Sequence, residues 1–173
     1  MQRWAFSEFT TILTTPDGVI MDDRYVAGLF DGEGFARIFK KVKRNHVGYY
    51  PAVGIGMSYY PIVKALYDEF GGHLNENRHD LRNPKNRIQF CWGIHNLGVS
   101  NFLRRIRPYV IVKREEVDLV LQLRDHIDQH PYNFKGRGDG ANRKDREKIL
   151  AYREKLYQAC KALKKRSYPP LTG

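Results

Sequence analysis

The sequence predicts an α+β domain of the order αββαββα, in which one four-stranded antiparallel sheet is backed by helices on a single face and further helices follow at the carboxy terminus. Three observations predict it. Two stretches alternate apolar and polar residues around turn signals, as hairpins do. Apolar residues at the 3.6-residue helical period precede, separate and follow those stretches. The 173 residues, 42% of them hydrophobic, supply one core of ordinary size and not two.

The first helix follows Asp22 and Asp23, whose carboxylates can accept from its first free amides, and runs from about Arg24 to Gly32. Asp31-Gly32-Glu33-Gly34 ends it, because two glycines around two acids favour a turn. From Phe35 to Arg44, Ala36, Ile38 and Val42 take one face and Arg37, Phe39, Lys41 and Lys43 the other, a half-buried strand with a cationic exposed side. A turn over Asn45–Gly48 leads to a second strand, where Val53, Ile55 and Met57 alternate with Ala52, Gly54 and Gly56.

Ser58 is placed to cap a second helix, whose apolar stripe Ile62, Val63, Leu66, Tyr67 and Phe70 stops at Gly71-Gly72. Leu74–Leu81 and Arg87–Ile94 form a second hairpin around Asn83-Pro84, with Ile88, Phe90, Trp92 and Ile94 facing one way. Asn96 precedes a third helix (Val99, Phe102, Leu103, Ile106) that Pro108 terminates. A fourth lies between Lys113 and His130, marked by Val117, Val120, Leu121 and Ile127. Residues 1–132 make the core on this reading. Residues 133–173 are a basic extension: a glycine-rich linker, Asn133–Asn142, then a helix with the stripe Ile149, Tyr152, Leu156, Cys160 and Leu163, packing on the core or contacting a nucleic acid.

Charge narrows the partner. Thirty Lys and Arg against 19 Asp and Glu leave a formal +11, and 12 of those cations against 4 acids fall between Phe134 and Gly173. Such an excess repels itself in the folded state and points to a polyanion, with nucleic acid ahead of an anionic membrane. No run approaches the roughly 18 apolar residues of a membrane span, and the amino terminus carries no secretory signal, so an intracellular, soluble protein is expected. Cys91 and Cys160 lack a CxxC spacing and read as buried thiols. His73, His79 and His95 are scattered without cysteine partners, and the glycines at 28–34, 54–56 and 136–140 lack the fingerprints of nucleotide binding, so neither a zinc site nor a nucleotide cofactor is expected.

The segment Tyr25–Gly34, YVAGLFDGEG, is the informative one. Val26, Ala27, Gly28 and Phe30 form a helix surface whose small residues let another backbone approach closely. The motif occurs once, so the partner helix has to come from a second copy across a two-fold axis, and a homodimer with Val26, Ala27, Gly28, Phe30 and Asp31 at its interface is expected. Glu33 of each copy then meets the other at a negative helix end, a repulsion that a divalent cation relieves.

Val26 to Gly34 resemble the LAGLIDADG motif of homing endonucleases, and the helix–hairpin–helix–hairpin–helix order over about residues 20–130 is also that family's. The resemblance implies a metal-dependent, sequence-specific nuclease that cuts both strands of duplex DNA across the minor groove, leaves 3′ overhangs and initiates intron or intein homing. It makes Glu33 the metal-binding and catalytic acid, with the Gly32 carbonyl on the same ion, and gives Asp31 a structural role. Glutamate at 33 where the motif has aspartate moves the carboxylate out by one methylene. Lys113 resembles the basic residue near the cleavage centre of single-motif members, and Ser58 stands where they carry a polar residue at the end of the second strand.

Oxygen ligands favour Mg²⁺, with Mn²⁺ as a substitute and Ca²⁺ supporting binding without cleavage. On the sheet, Arg37, Lys41, Lys43, Arg87 and Gln89 are the residues to reach bases or phosphates, Phe39 and Tyr50 to contact thymine methyls, and Asn75 and Asn77 to pair with adenine. Two such sheets would read a long, near-palindromic site. The competing readings are a non-cleaving binder of the same fold, acting as an intron RNA maturase or a DNA-binding regulator, and a basic RNA-binding scaffold, which leaves the helix motif unexplained. Organelle, bacterial and phage locations are equally compatible with the absence of a targeting signal.

Overall fold

A computed structural model describes residues 13–44, 46–77, 87–131 and 143–164. Its elements are β1 (Leu13–Thr14), β2 (Ile20–Met21), α1 (Asp23–Glu33), β3 (Gly34–Lys43), β4 (His46–Met57), α2 (Tyr60–Phe70), β5 (His73–Asn77), β6 (Gln89–His95), α3 (Leu97–Ile106), α4 (Arg114–Gln129) and α5 (Arg143–Leu163). The four longer strands form one antiparallel sheet in the order β3-β4-β6-β5, which is the α+β architecture expected from the sequence. The short β1–β2 pair was not anticipated. Among the described residues no helix is long and apolar enough to cross a membrane.

Register assigns the two faces of the sheet. Opposed residues share a face, so the pairs Ala36↔Val53 and Ile38↔Pro51, continued through Ile55↔Trp92 and Val53↔Ile94, put the apolar set on the helix side. There Val53, Ile55 and Trp92 are buried together with Val26, Ala27 and Phe30 of α1, Val63 and Leu66 of α2, and Val99, Leu103 and Ile106 of α3. Phe102 is the hub: its ring meets those of Phe30, Phe70 and Trp92 at centroid distances of 5.6, 5.0 and 4.9 Å in edge-on geometry. Trimming Phe102 to Ala empties the point where α1, α2, α3 and β6 converge. The loss is expected at about 3–5 kcal/mol, measured by urea unfolding; a loss below about 1 kcal/mol would contradict this account of the core.

Several local expectations change. The first helix does not stop at Gly32. It continues through Glu33 and passes straight into β3, with the N–H of Gly34 bonded to the Phe30 carbonyl. A Cβ on Gly34 would stand 2.5 Å from the Phe30 ring, so glycine permits this abrupt junction. Asp22 is the cap, accepting from the N–H of Tyr25 at 2.8 Å. Asp23 is instead the first helical residue, buried and paired with Arg105 at 2.6 Å.

Ser58 caps nothing: α2 begins after Tyr59, with no side-chain cap bond and a proline in its first turn. The β3–β4 connection is tighter than Asn45–Gly48, since Lys43 already faces His46 and Gly48 is inside the strand. Val42 is 61% exposed, because β3 runs on past the helices that cover Ala36 and Ile38. The turn at Asn83-Pro84 and the linker Asn133–Asn142 lie outside the described residues.

The carboxy-terminal helix α5 packs on α4 and on β3. Leu156 and Cys160 enter the core, and Glu154 binds both Lys40, at 2.7 Å, and the Tyr49 hydroxyl. The Lys40 and Tyr49 hydrogen bonds pull the Glu154 carboxyl down to about 2, while burial and Glu154 push the Tyr49 phenol up.

Candidate functional site

The carboxy-terminal end of α1 is where the structure brings the sequence-predicted chemistry together. Glu33 is the last helical residue. It is exposed, and among the described residues no hydrogen bond or ion pair engages its carboxylate. Two residues earlier, Asp31 is fully committed. Its Oδ2 accepts from the N–H groups of Ile111 at 2.7 Å and Val112 at 3.1 Å, and its Oδ1 from that of Lys113 at 3.0 Å.

Three consecutive amides on one carboxylate tie the α3–α4 loop to the end of α1. The same clamp delivers Lys113, whose Nζ donates to the main-chain oxygen of Asp31. An ammonium at a helix carboxy terminus sits in favourable potential, since the last carbonyls lack partners ahead of them. Glu33, the Gly32 carbonyl and Lys113 therefore share one corner of the molecule, although Lys113 is far away in sequence. The clamp gives Asp31 a role that the motif alone does not explain.

The interface expected on α1 is corrected by burial. Val26, Ala27 and Phe30 have no exposed surface, because this chain's own core covers them. Asp31 is occupied by the loop. Of the expected interface residues only Gly28 remains on the open face, together with Tyr25 and Gly32; a Cβ on either glycine would meet nothing within 4 Å. Beside this face run Tyr109, half-covered by the Arg24 guanidinium, and Ile111 and Val112, which are 79% and 72% exposed.

The other side of the sheet holds the predicted nucleic-acid contacts. Arg37, Phe39, Lys41 and Lys43 project from it along β3. Pairing adds Tyr50 opposite Phe39, and the β5–β6 ladder adds Asn75 and, in the register position opposite Gln89, Asn77. Arg37, Lys41, Lys43, Asn75 and Gln89 are exposed, as is Arg87 just before β6. Ser58 is exposed beyond the end of β4 that pairs with Gly34, the same end as Glu33.

Sequence reasoning missed two features of this face. The middle strands are rich in small residues: Gly48, Ala52, Gly54, Gly56 and Gly93 lie on this face between the side chains of Tyr50, Cys91 and His95. The Phe35 ring lies over Gly54, where a Cβ would come within 2.7 Å of it, and Arg37 stacks on Phe35 at 4.8 Å. The second feature is an imidazole pair. His73 and His95 stack at 4.7 Å, with Phe39 next to His95 at 6.3 Å. Burial, then the neighbouring His73, holds the His95 imidazole below its ordinary range. The sequence read these histidines as scattered; the register sets His73 opposite Gly93, one step from His95 on the same face, and their rings meet there.

Among the described residues no cluster of three or more His, Cys, Asp or Glu gathers to hold a metal within one chain. Glu33 with the Gly32 carbonyl offers hard oxygen donors from one copy only.

No protein-family model matches the chain, and no curated protein matches it significantly. Solved structures do. An archaeal intron-encoded homing endonuclease complexed with DNA, I-Vdi141I, is 16% identical, with 86% of this chain and 87% of that one covered at a TM-score of 0.63. The homing endonuclease I-CvuI, in complex with its target in the presence of Ca, is 17% identical over 86% and 85% of the two chains at 0.60. The LAGLIDADG homing endonuclease I-GzeII in complex with a DNA target is 12% identical at 0.61, over 79% of this chain but only 44% of its own. The chain thus has the fold of LAGLIDADG homing endonucleases.

Proposed function

We propose that the chain is a sequence-specific, divalent-metal-dependent endonuclease of duplex DNA that works as a homodimer on a long, near-palindromic site. The observation that carries this reading is the pairing of an uncommitted carboxylate, Glu33, with a positioned ammonium, Lys113, at one end of a cationic sheet face. A protein that only binds DNA gains nothing from an unpaired acid next to phosphate.

The fold neighbours support DNA as the partner, being solved on DNA. The open α1 face supports self-association. Tyr25, Gly28 and Gly32 with Tyr109, Ile111 and Val112 leave apolar surface and bare backbone where a symmetry-related helix can pack. I-GzeII, of which this chain covers under half, has room for two such units in one polypeptide.

Glu33 and the Gly32 carbonyl from each copy would hold the cation, whose donor chemistry fits Mg²⁺. When bound, such an ion supplies Lewis acidity toward phosphate oxygens and lowers the pKa of water. The chain's own groups do the rest. Lys113 presents positive charge to the phosphate as charge develops on it, at a position fixed by the Asp31 clamp and not by solvent. Arg37, Lys41, Lys43 and Arg87 hold the backbone of the duplex; Tyr50, Asn75 and Gln89 read base edges. The ten residues of β3 reach about 34 Å, one turn of B-DNA, so each copy covers about 10 base pairs.

Selection of bound fragments from a random duplex library in Ca²⁺, followed by transfer to Mg²⁺, tests the reading. A long two-fold consensus that is cut in both strands is expected. A bound but uncut consensus would replace it with the non-cleaving binder.

A further inference from the structure

Beyond the end of β6, whose last pair with β4 is Ala52↔His95, the edge of β4 over residues 47–51 is left to the helices. A cavity of about 160 Å³ opens there, lined among others by Gly48, Tyr50, Asn96, Arg124 and Arg153. The two arginines are 6% and 7% exposed. Arg124 is neutralised by Asp128, with its Nε 3.1 Å from Oδ2. Arg153 is not. Its Nε donates to His126 Nδ1 at 3.3 Å and its Nη2 to the His130 carbonyl at 2.8 Å, and among the described residues no carboxylate lies within ion-pair reach and no acceptor engages Nη1.

Among the described residues, the neighbours of Arg153 supply no full negative charge. His126 is neutral, its imidazole pushed down to about 4 by burial and then by Arg153 and His130. The carboxy-terminal end of α4 contributes only a partial charge. A guanidinium does not deprotonate in a protein, and a buried one without a counter-ion is costly. Among the described residues the cavity therefore sets two buried cations against one carboxylate, with planar guanidinium donors of the kind that matches a tetrahedral oxyanion.

We propose that this cavity is a phosphate-oxyanion site built on Arg153 and Arg124, and that it takes a backbone phosphate of the duplex lying over the sheet. The second half rests on the DNA-binding reading above. It is favoured by the place of the cavity at the open edge of β4, where the lining straddles the sheet: Gly48 and Tyr50 belong to the face that carries Arg37 and Lys41, Val47 and Tyr49 to the helix side. Tyr50 lies five residues along β4 from Ile55, which pairs with Gly34 beside Glu33, so the phosphate is held about 17 Å from the acidic helix end. The role is positioning, uniform across sequences, and not base reading.

Three measurements on the full chain test the proposal. Inorganic phosphate at millimolar concentration is expected to raise the Tm of the unliganded protein and not that of Arg153→Met. On both a selected and an unrelated duplex, Arg153→Met is expected to lose about three- to tenfold in affinity and to lower the slope of log K against log salt by about one. A methylphosphonate scan of the duplex is expected to find, for the unaltered protein, one phosphate per half-site whose neutralisation reproduces that loss and costs Arg153→Met nothing further.

Finding the sensitive phosphate uses the unaltered protein alone and needs no folded variant. Protection by phosphate with no sensitive position in the scan overturns the duplex assignment in favour of free phosphate. Absence of both overturns the site. Failure of the unaltered protein to bind any duplex overturns the parent reading instead, and leaves the phosphate measurement standing on its own.

Discussion

Glu33→Gln is expected to bind its duplex in Ca²⁺ as the unaltered protein does and to cut it in Mg²⁺ more slowly by a factor on the order of 10³ or greater. The reasoning is structural. Glu33 is exposed, bonded to nothing among the described residues, and sits at the last position of α1, where a carboxylate meets the negative helix end without compensation. Glutamine keeps the shape and removes the charge, so the fold has nothing to lose, whereas a cation held as proposed would lose its anionic ligand. Strand-specific gel assays under single-turnover conditions separate binding from chemistry. Equal cleavage by the variant would remove Glu33 from the site.

Gly28→Leu is expected to leave the subunit folded and abolish cleavage altogether. A Cβ at Gly28 meets nothing within 4 Å in the isolated chain, and leucine in a helix interior gains roughly 0.5–1 kcal/mol over glycine. The monomer should therefore be no less stable by urea unfolding. Association is another matter: if the copies meet at α1 as proposed, a branched side chain at position 28 forces the two backbones apart. Sedimentation is expected to give one chain in place of two, with cleavage falling below detection. A variant that remains dimeric and active would mean that α1 is not where the copies meet.

Both variants probe positions that the sequence singled out, yet their surroundings were legible to different degrees. Strand parity was readable because one sheet face is buried and the other is not: Ala36 and Ile38 against Arg37 and Lys41 leave no ambiguity. The interface was harder. Val26, Ala27 and Phe30 are apolar at helical spacing, and that pattern is the same whether a helix is covered by its own chain or by another. Here its own sheet and α3 cover it, and the open stripe falls on Tyr25, Gly28 and Gly32.

The contact between Asp31 and the amides of residues 111–113 has no local signature, because it depends on where α3 turns. Arg153 was least legible of all. Its spacing from Ile149, Leu156 and Cys160 puts it beside the apolar stripe while its charge argues for solvent, and the packing of α5 against the end of α4 decides for burial.

The floor of glycines and one alanine along β4 and β6 has a consequence for how such a surface can change. On the DNA-binding reading those small residues have no vocabulary for distinguishing one base from another, so any preference is spelled by the side chains around them: β3 on one side, Tyr50 within β4, and the β5–β6 ladder on the other. Retargeting then becomes a matter of rewriting those side chains a few letters at a time over an invariant bed. A substitution in the bed would shut the valley to every sequence alike.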